Sequence, residues 1–250
     1  MYKIYEKYLQ TQIENGETPK HVGLILNGNR RWAENHSYPK HIGHRVGAEV
    51  AEKLLEWCRD LKIKTLTLYV LSTENLERDK EELNELYKII EEKLQKLMND
   101  ERIHKYKIRV KTLGKKELLP ERIRRILDKV EKDTENYSDY FLNIAIAYGG
   151  RLEILEVVRK IAEKVKKGEI EPSQITQKII EENLYTAHLP NPEPDLVIRT
   201  SGEERLSGFL LWQSAYSELV FLDVYWPDFR KIDLMRAIRT YQKRVRRFGK

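Results

Sequence analysis

A chain of 250 residues is long enough for one large α/β domain with a substantial buried core. Its 40% hydrophobic and 34% charged residues exclude intrinsic disorder, and its apolar runs fall well short of the ~20 residues of a membrane-spanning helix. The net charge of +6 is modest, and the single cysteine, Cys58, excludes an internal disulfide and a cysteine-based metal site.

Met1 to Glu17 is charged throughout and lacks a signal-peptide core, so a cytoplasmic location is expected. We assign residues 1–20 to an N-terminal helical extension and 21–250 to the domain itself. Val22–Leu26 reads as a short buried strand followed by a turn at Asn27-Gly28-Asn29. From His44 to Leu61, Val46, Val50, Leu54, Leu55 and Trp57 recur at helical spacing, and Cys58 in that pattern reads as a buried structural thiol. Thr65–Leu71 is a second buried strand and Lys80–Met98 a long helix. Lys107–Leu113 alternates like a strand, and Pro120 opens a helix running toward Tyr137. Phe141–Ala147 is an apolar strand stopped by Gly149-Gly150, before a helix over Leu152–Lys167. The loop His188–Pro194 leads to strands at Asp195–Arg199 and Leu219–Val224, with Lys231–Arg247 as a closing helix.

Strands alternating with helices of this length predict a single α/β domain with a mostly parallel central sheet flanked by helices. In such sheets ligands bind beyond the carboxyl ends of the strands. Chemistry is therefore expected after Leu26, Leu71 and Arg199. After the first strand, Gly28 permits close backbone approach, amides of the turn can cradle an anion, and Arg30 and Arg31 suit phosphate oxygens; a plain turn fits equally well. After the second, Ser72, Thr73, Glu74, Asn75 and Arg78 gather hydroxyls, a carboxylate, an amide and a cation, and Ser72 or Thr73 could simply cap a helix. After Arg199, the guanidinium groups of Arg199 and Arg205 with Ser207 form a plausible diphosphate clamp. Glu218 is a candidate ligand for a hard cation. Nine Lys or Arg against one acid between Arg230 and Lys250 suit a nucleic acid, an anionic membrane or a phosphorylated metabolite, and on charge alone a solvated helix face is favoured.

Together these segments resemble the cis-prenyltransferases, the undecaprenyl-diphosphate synthase family, from His21 to Gly249. The landmarks are His-Val-Gly-Leu-Ile-Leu-Asn-Gly-Asn-Arg-Arg-Trp-Ala, Gly43-His44, Leu-Tyr-Val-Leu-Ser-Thr-Glu-Asn, Asn143 through Tyr148-Gly-Gly-Arg151, Asp-Leu-Val-Ile-Arg-Thr-Ser-Gly-Glu, and Trp226-Pro-Asp-Phe. The resemblance implies condensation of isopentenyl diphosphate onto an allylic diphosphate, farnesyl or geranylgeranyl, with Mg2+ as cofactor and an apolar tunnel for the growing chain. The Asn-Arg-Arg loop and the lack of an aromatic at Leu76 are similar to archaeal relatives that use geranylgeranyl diphosphate. Gly28, Asn29, Arg30 and Arg31 match the positions that hold the allylic diphosphate, and Lys40 and His44 match further contacts to it. A zinc pair at His41 and His44 is a poor alternative, because no third ligand follows. Arg199, Arg205 and Ser207 match the site for isopentenyl diphosphate, and Asn75 a residue that helps remove the proton, flanked by Ser72 and Arg78. Trp32, Thr73, Glu74, Leu76 and Leu206 complete the implied substrate-binding set.

Glu218 matches a magnesium ligand, and Glu204 stands where many relatives carry histidine. Arg247 and Gly249 match a terminal Arg-x-Gly signature that completes the partner's site, which implies a homodimer and gives the basic tail a purpose other than nucleic acid. The product would be delivered to a membrane that the enzyme meets peripherally. One departure concerns the chemistry directly: the family keeps aspartate where this chain has Asn27, a match for both a catalytic position and a metal ligand. Asparagine keeps the shape and loses the charge, so weaker magnesium binding and low turnover are expected. A non-catalytic accessory subunit of a mixed dimer is the alternative.

Overall fold

The computed structural model describes residues 2–244, so Arg247 and Gly249 lie outside the described residues. Among the described residues the chain runs α1 (Tyr2–Ile13), β1 (His21–Ile25), α2 (Asn29–Asn35), α3 (Lys40–Asp60), β2 (Thr65–Ser72), α4 (Lys80–Met98) and α5 (Glu101–Lys105). It continues through β3 (Ile108–Leu113), α6 (Glu121–Asp133), β4 (Tyr140–Tyr148), α7 (Gly150–Lys166), α8 (Gln177–Glu181), β5 (Leu196–Thr200), β6 (Glu218–Leu222) and α9 (Lys231–Lys243).

The strands form one six-stranded sheet in the order β3-β4-β2-β1-β5-β6, and every neighbouring pair is parallel. Parallel strands need long crossovers that cover both sheet faces, which is why β1 and β5 are buried at every residue. The central strand β1 lies between β2 and β5, and the chain leaves it toward β2 while β5 arrives from the far side of the sheet. Loops therefore diverge at the carboxyl ends of these three strands and leave a crevice there. The helical stripe expected over His44–Leu61 is present, with Val50, Leu54 and Cys58 buried. Burial pushes the Cys58 thiol far above its ordinary pKa, in keeping with a packing role.

Three boundaries differ from the sequence reading. The turn expected at Asn27-Gly28-Asn29 is the start of α2, because Gly28 at φ 105° reverses the chain and Asn29 onward is then free to coil. The helix expected to run toward Tyr137 stops at Asp133, where the Thr134 hydroxyl donates to the Val130 carbonyl and accepts from the Val110 N–H. Ser72 and Thr73 stand before a short 3-10 turn over Glu74–Glu77, where the Ser72 hydroxyl accepts from the Asn75 N–H, and α4 is capped separately by Asp79, which accepts from the N–H groups of Glu81 and Glu82. At the amino end of the chain, α1 packs on α9 and buries Leu9 and Ile13.

Candidate active site

The loops after β1, β2 and β5 meet in a cleft of about 520 Å³ at the carboxyl edge of the sheet. The first loop is fixed from its backbone: the Thr200 hydroxyl donates to the Asn27 carbonyl at 2.7 Å and accepts from the Asn27 N–H at 3.0 Å. The Trp226 N–H also donates to that carbonyl. A side chain at Gly28 would collide with the Tyr225 ring, so glycine is required there by space as well as by φ. In the second loop the Asn75 N–H donates to the Ser72 hydroxyl at 3.2 Å, which presents the Asn75 side chain at the cleft wall. In the third, an Arg199 nitrogen donates to the Ser207 hydroxyl at 2.7 Å and to the Arg205 carbonyl. Ser201 and Ser207 both sit at positive φ, 77° and 47°, strain that marks a tightly folded turn.

Two carboxylates organise the cations. Glu82, in the first turn of α4, lies 3.7 Å from Arg30, 3.7 Å from Lys40 and 3.4 Å from Arg78. Glu203 lies 3.0 Å from Arg31 and 3.8 Å from Arg199, and also pairs with Arg205. Burial lowers the pKa of Arg78 and of Arg199, in each case against the pull of its carboxylate. Both remain charged, because arginine starts so high. His44 is pushed down to about 4, first by burial and then by Arg78, so its imidazole is neutral at physiological pH. Its Nε2 is buried with no hydrogen-bond partner among the described residues.

Of the residues singled out from the sequence, Asn27, Gly28, Asn29, Arg30, Arg31, His44, Ser72, Asn75, Arg78, Arg199 and Ser207 line this cleft. Lys40 stands in a side pocket at its edge, and Arg205 is exposed at the rim. The others turn elsewhere. Trp32 stacks on His36 at 4.4 Å, the Thr73 hydroxyl donates to Glu74, Leu76 packs on the main core and Leu206 on a second cluster around Phe209. Glu218 starts β6, at the amino edge of the sheet opposite the cleft, and its carboxylate accepts from Arg244 at 3.0 Å. Within one chain, strand register keeps it away from Asn27. Glu82 was the residue missed, and its spacing four residues after Arg78 was the available signal.

A second cavity of about 170 Å³ lies between α3, α4 and the sheet, and shares Leu26, Asn29, His44, Val70 and Leu86 with the cleft. Much of its wall is apolar, with Ala48, Ala51 and Leu55 from α3, Ile89, Ile90 and Leu94 from α4, and Leu142 and Ile144 from β4, while Glu52, Lys93, Lys96, Asp100 and Arg102 also line it. The chemistry of the donor set decides the fit to magnesium. Asn27 contributes a neutral amide, Glu203 is engaged by arginines, and no cluster of three or more metal-ligating side chains occurs among the described residues. The described residues of one chain do not by themselves build a magnesium site. No helix among the described residues is long and apolar enough to cross a membrane.

Residues 25–249 match the family model of the undecaprenyl diphosphate synthases. The chain belongs to the undecaprenyl diphosphate synthase family. Two archaeal members are each named tritrans,polycis-undecaprenyl-diphosphate synthase (geranylgeranyl-diphosphate specific). That of Methanocaldococcus jannaschii is 53% identical, over 99% of this chain and 89% of its own length. That of Methanopyrus kandleri is 53% identical, over 100% of this chain and 92% of its own. Among solved structures, lavandulyl diphosphate synthase from Lavandula x intermedia, in complex with dimethylallyl diphosphate, superposes with a TM-score of 0.88. It is 34% identical and the match covers 93% of this chain and 99% of that one. The relatives so named are cis-prenyltransferases, so the family expected from the loops is the family found.

Proposed function

We propose that the chain lengthens an allylic diphosphate with isopentenyl diphosphate, taking geranylgeranyl in preference to farnesyl diphosphate as primer and making a long-chain cis-polyprenyl diphosphate for use as a lipid-carrier precursor. The observation that carries this reading is an arginine-lined cleft with an apolar cavity opening from one side of it. That combination suits a diphosphate bearing a hydrocarbon tail, next to a second diphosphate with almost none.

In this reading Arg30, Arg31 and the backbone at Gly28 and Asn29 hold the allylic diphosphate, with Lys40 and His44 at its edge. Arg199, Ser207 and Arg205 hold isopentenyl diphosphate. The allylic C–O bond breaks and the electron pair leaves with the diphosphate, whose charge the arginines offset. The double bond of isopentenyl diphosphate closes onto the allylic carbon, and one proton passes to a diphosphate oxygen, with Asn75 orienting the transfer by hydrogen bonding, which sets the new cis double bond. Holding both substrates side by side supplies much of the rate. Magnesium, when bound, supplies further charge neutralisation on the diphosphates. Asn27 offers it no carboxylate, and we therefore expect low turnover. We also propose a homodimer in which Arg247 and Gly249 complete the partner's site, and a cytoplasmic enzyme that meets the membrane when handing over its product.

The test is extraction of radiolabel into lipid from labelled isopentenyl diphosphate with each primer, using the chain and its Asn27→Asp form. Polyprenyl product, more of it from geranylgeranyl diphosphate, is expected from both forms. No labelled lipid from either form with either primer would overturn the proposal. Asn27 itself favours one other reading, an accessory subunit. Label that appears only when a second, catalytically complete family member is added would establish that instead.

A further inference from the structure

The net charge of the protein is concentrated in one place. Helix α1 and the segment Arg230–Arg244, which contains α9, hold eight Lys or Arg against two acids, an excess of six. The whole chain carries +6, so everything else balances. Of the two acids, Asp233 is buried and Glu6 is half-buried beside Lys231, whereas Lys3 and Lys7 are exposed and Arg230 and Arg236 largely so.

The same surface carries apolar side chains that the core does not use. Tyr5, Leu9 and Ile13, four residues apart, turn α1 inward. Its outward side holds a second pair at that spacing, Ile4 and Tyr8, exposed at 74% and 53%, with Lys3 and Lys7 beside them. A single exposed isoleucine calls for no explanation, but an isoleucine and a tyrosine set among the molecule's entire charge excess do. Arg230 and Arg236 lie over the rings of Tyr2 and Tyr5 at 5.9 and 5.0 Å, which keeps guanidinium groups among the aromatics. Apolar bodies with charged or hydroxyl tips settle at the level of lipid headgroups, and a cationic excess favours anionic ones.

Position points the same way. Lys231 lies 3.5 Å from Glu6 and 3.1 Å from Asp60, the last residue of α3. The face therefore stands at the carboxyl end of α3, toward which the apolar cavity runs from His44 to Leu55, and away from the cleft. We propose that α1 and α9 form a docking face for an anionic lipid bilayer, with Ile4 and Tyr8 entering the headgroup layer and Lys3, Lys7, Arg230 and Arg236 meeting lipid phosphates. Its purpose rests on the reading above, in which the product is a lipid bound for a membrane; the contact itself needs no turnover. A cleft at the opposite edge of the sheet stays open to water-soluble substrate while the protein is docked.

The test is flotation of the full chain with vesicles of phosphatidylcholine alone, or mixed in equal parts with phosphatidylglycerol. The chain is expected to float with the anionic vesicles, to be released by salt, and to stay behind with the neutral ones. Ile4→Ser/Tyr8→Ser and Lys3→Gln/Lys7→Gln should each weaken partitioning roughly 10-fold, the scale of two side chains leaving the interface. All four positions are exposed, so both variants should unfold at the parent temperature and condense substrate in detergent at the parent rate. Lys129→Gln/Lys132→Gln, on the exposed side of α6, is the control and should leave partitioning unchanged. Equal partitioning of the parent and both α1 variants overturns the proposal, as does a parent that ignores anionic vesicles. A dimer that comes apart in the Ile4/Tyr8 variant while flotation persists also overturns it and assigns the face to a second copy. Flotation that responds to the variants, without any condensation, keeps the docking face and removes the proposed activity.

Discussion

Glu82 and Glu203 each gather three cations, and their surroundings differ. Glu82 belongs to the first turn of a long helix capped by Asp79, and its cations reach it from α2, from α3 and from the turn before α4. Glu203 belongs to a turn containing left-handed residues, and two of its three arginines come from its own segment. Behind the first cluster the apolar cavity opens at His44 and Leu86. Behind the second, Tyr69 stacks on Phe209 at 5.0 Å and donates to the Ser207 carbonyl, which closes that side. Similar charge sets thus become different sites through what adjoins them. The first suits a diphosphate with a long tail, the second one with a short tail.

The comparison can be broken at several points. The largest effect is expected at Asn27, where a carboxylate would serve the first cluster alone. Asn27→Asp should raise magnesium-dependent condensation by roughly 100-fold, the scale of one well-placed electrostatic group at a reacting centre. An unchanged rate in a single-turnover assay would refute the account of that position. Next comes Arg199→Ala, which removes a buried cation bonded to Ser207. A loss of about 2–3 kcal/mol should appear as a roughly 30- to 150-fold rise in KM for isopentenyl diphosphate. The KM for the allylic primer should stay within a few-fold; equal losses for both would mean the clusters do not divide the substrates.

A difference in pH response follows from His44, which only the first cluster contains. Its folded pKa of about 4 lies below the ordinary 6.5, so the unfolded chain binds more protons in between. The stabilisation is full above about pH 6.5 and is lost as pH falls toward 4, about 2 kcal/mol of it between pH 7 and 5. Urea unfolding of His44→Gln should show a shallower acid slope than the parent. The slope that remains has a known source, since burial depresses His21 and His188 in the same direction, each to about 4. The smallest effect is expected from Glu82→Gln. Removing a part-buried anion that competes for Arg30, Lys40 and Arg78 should tighten the allylic diphosphate by about 1 kcal/mol, roughly 5-fold in Kd by calorimetry. Weaker binding would instead make Glu82 a positioning group.

Much of this was legible before any coordinates. Apolar runs such as Thr65–Leu71 specify buried parallel strands, and small, charged and hydroxyl residues directly after them have little reason to cluster there unless a ligand does. The cleft was found in this way. Three features were hidden for physical reasons. Asn-Gly is a turn signal in most settings, and only the collision space around Gly28 shows why the chain turns straight into α2. The cavity is walled by residues such as Leu55, Ile90 and Ile144, whose pattern is the pattern of any core. Glu218 looked like a site residue because it matched one, and strand register, which a sequence does not display, puts it at the other edge of the sheet.

Thr200 carries a consequence for how such an enzyme can diversify. Its hydroxyl joins the turn after β1 to the end of β5, strands that are direct neighbours in the ladder. The distance between the two segments proposed to hold the diphosphates is thereby inherited from the spacing of adjacent strands, about 4.8 Å, and not from loops that drift. Helices α3 and α4 can exchange bulk, charge or length to suit another primer or another product while the reacting ends stay in register. A backbone ruler of this kind separates the part of the molecule that must stay constant from the part free to vary.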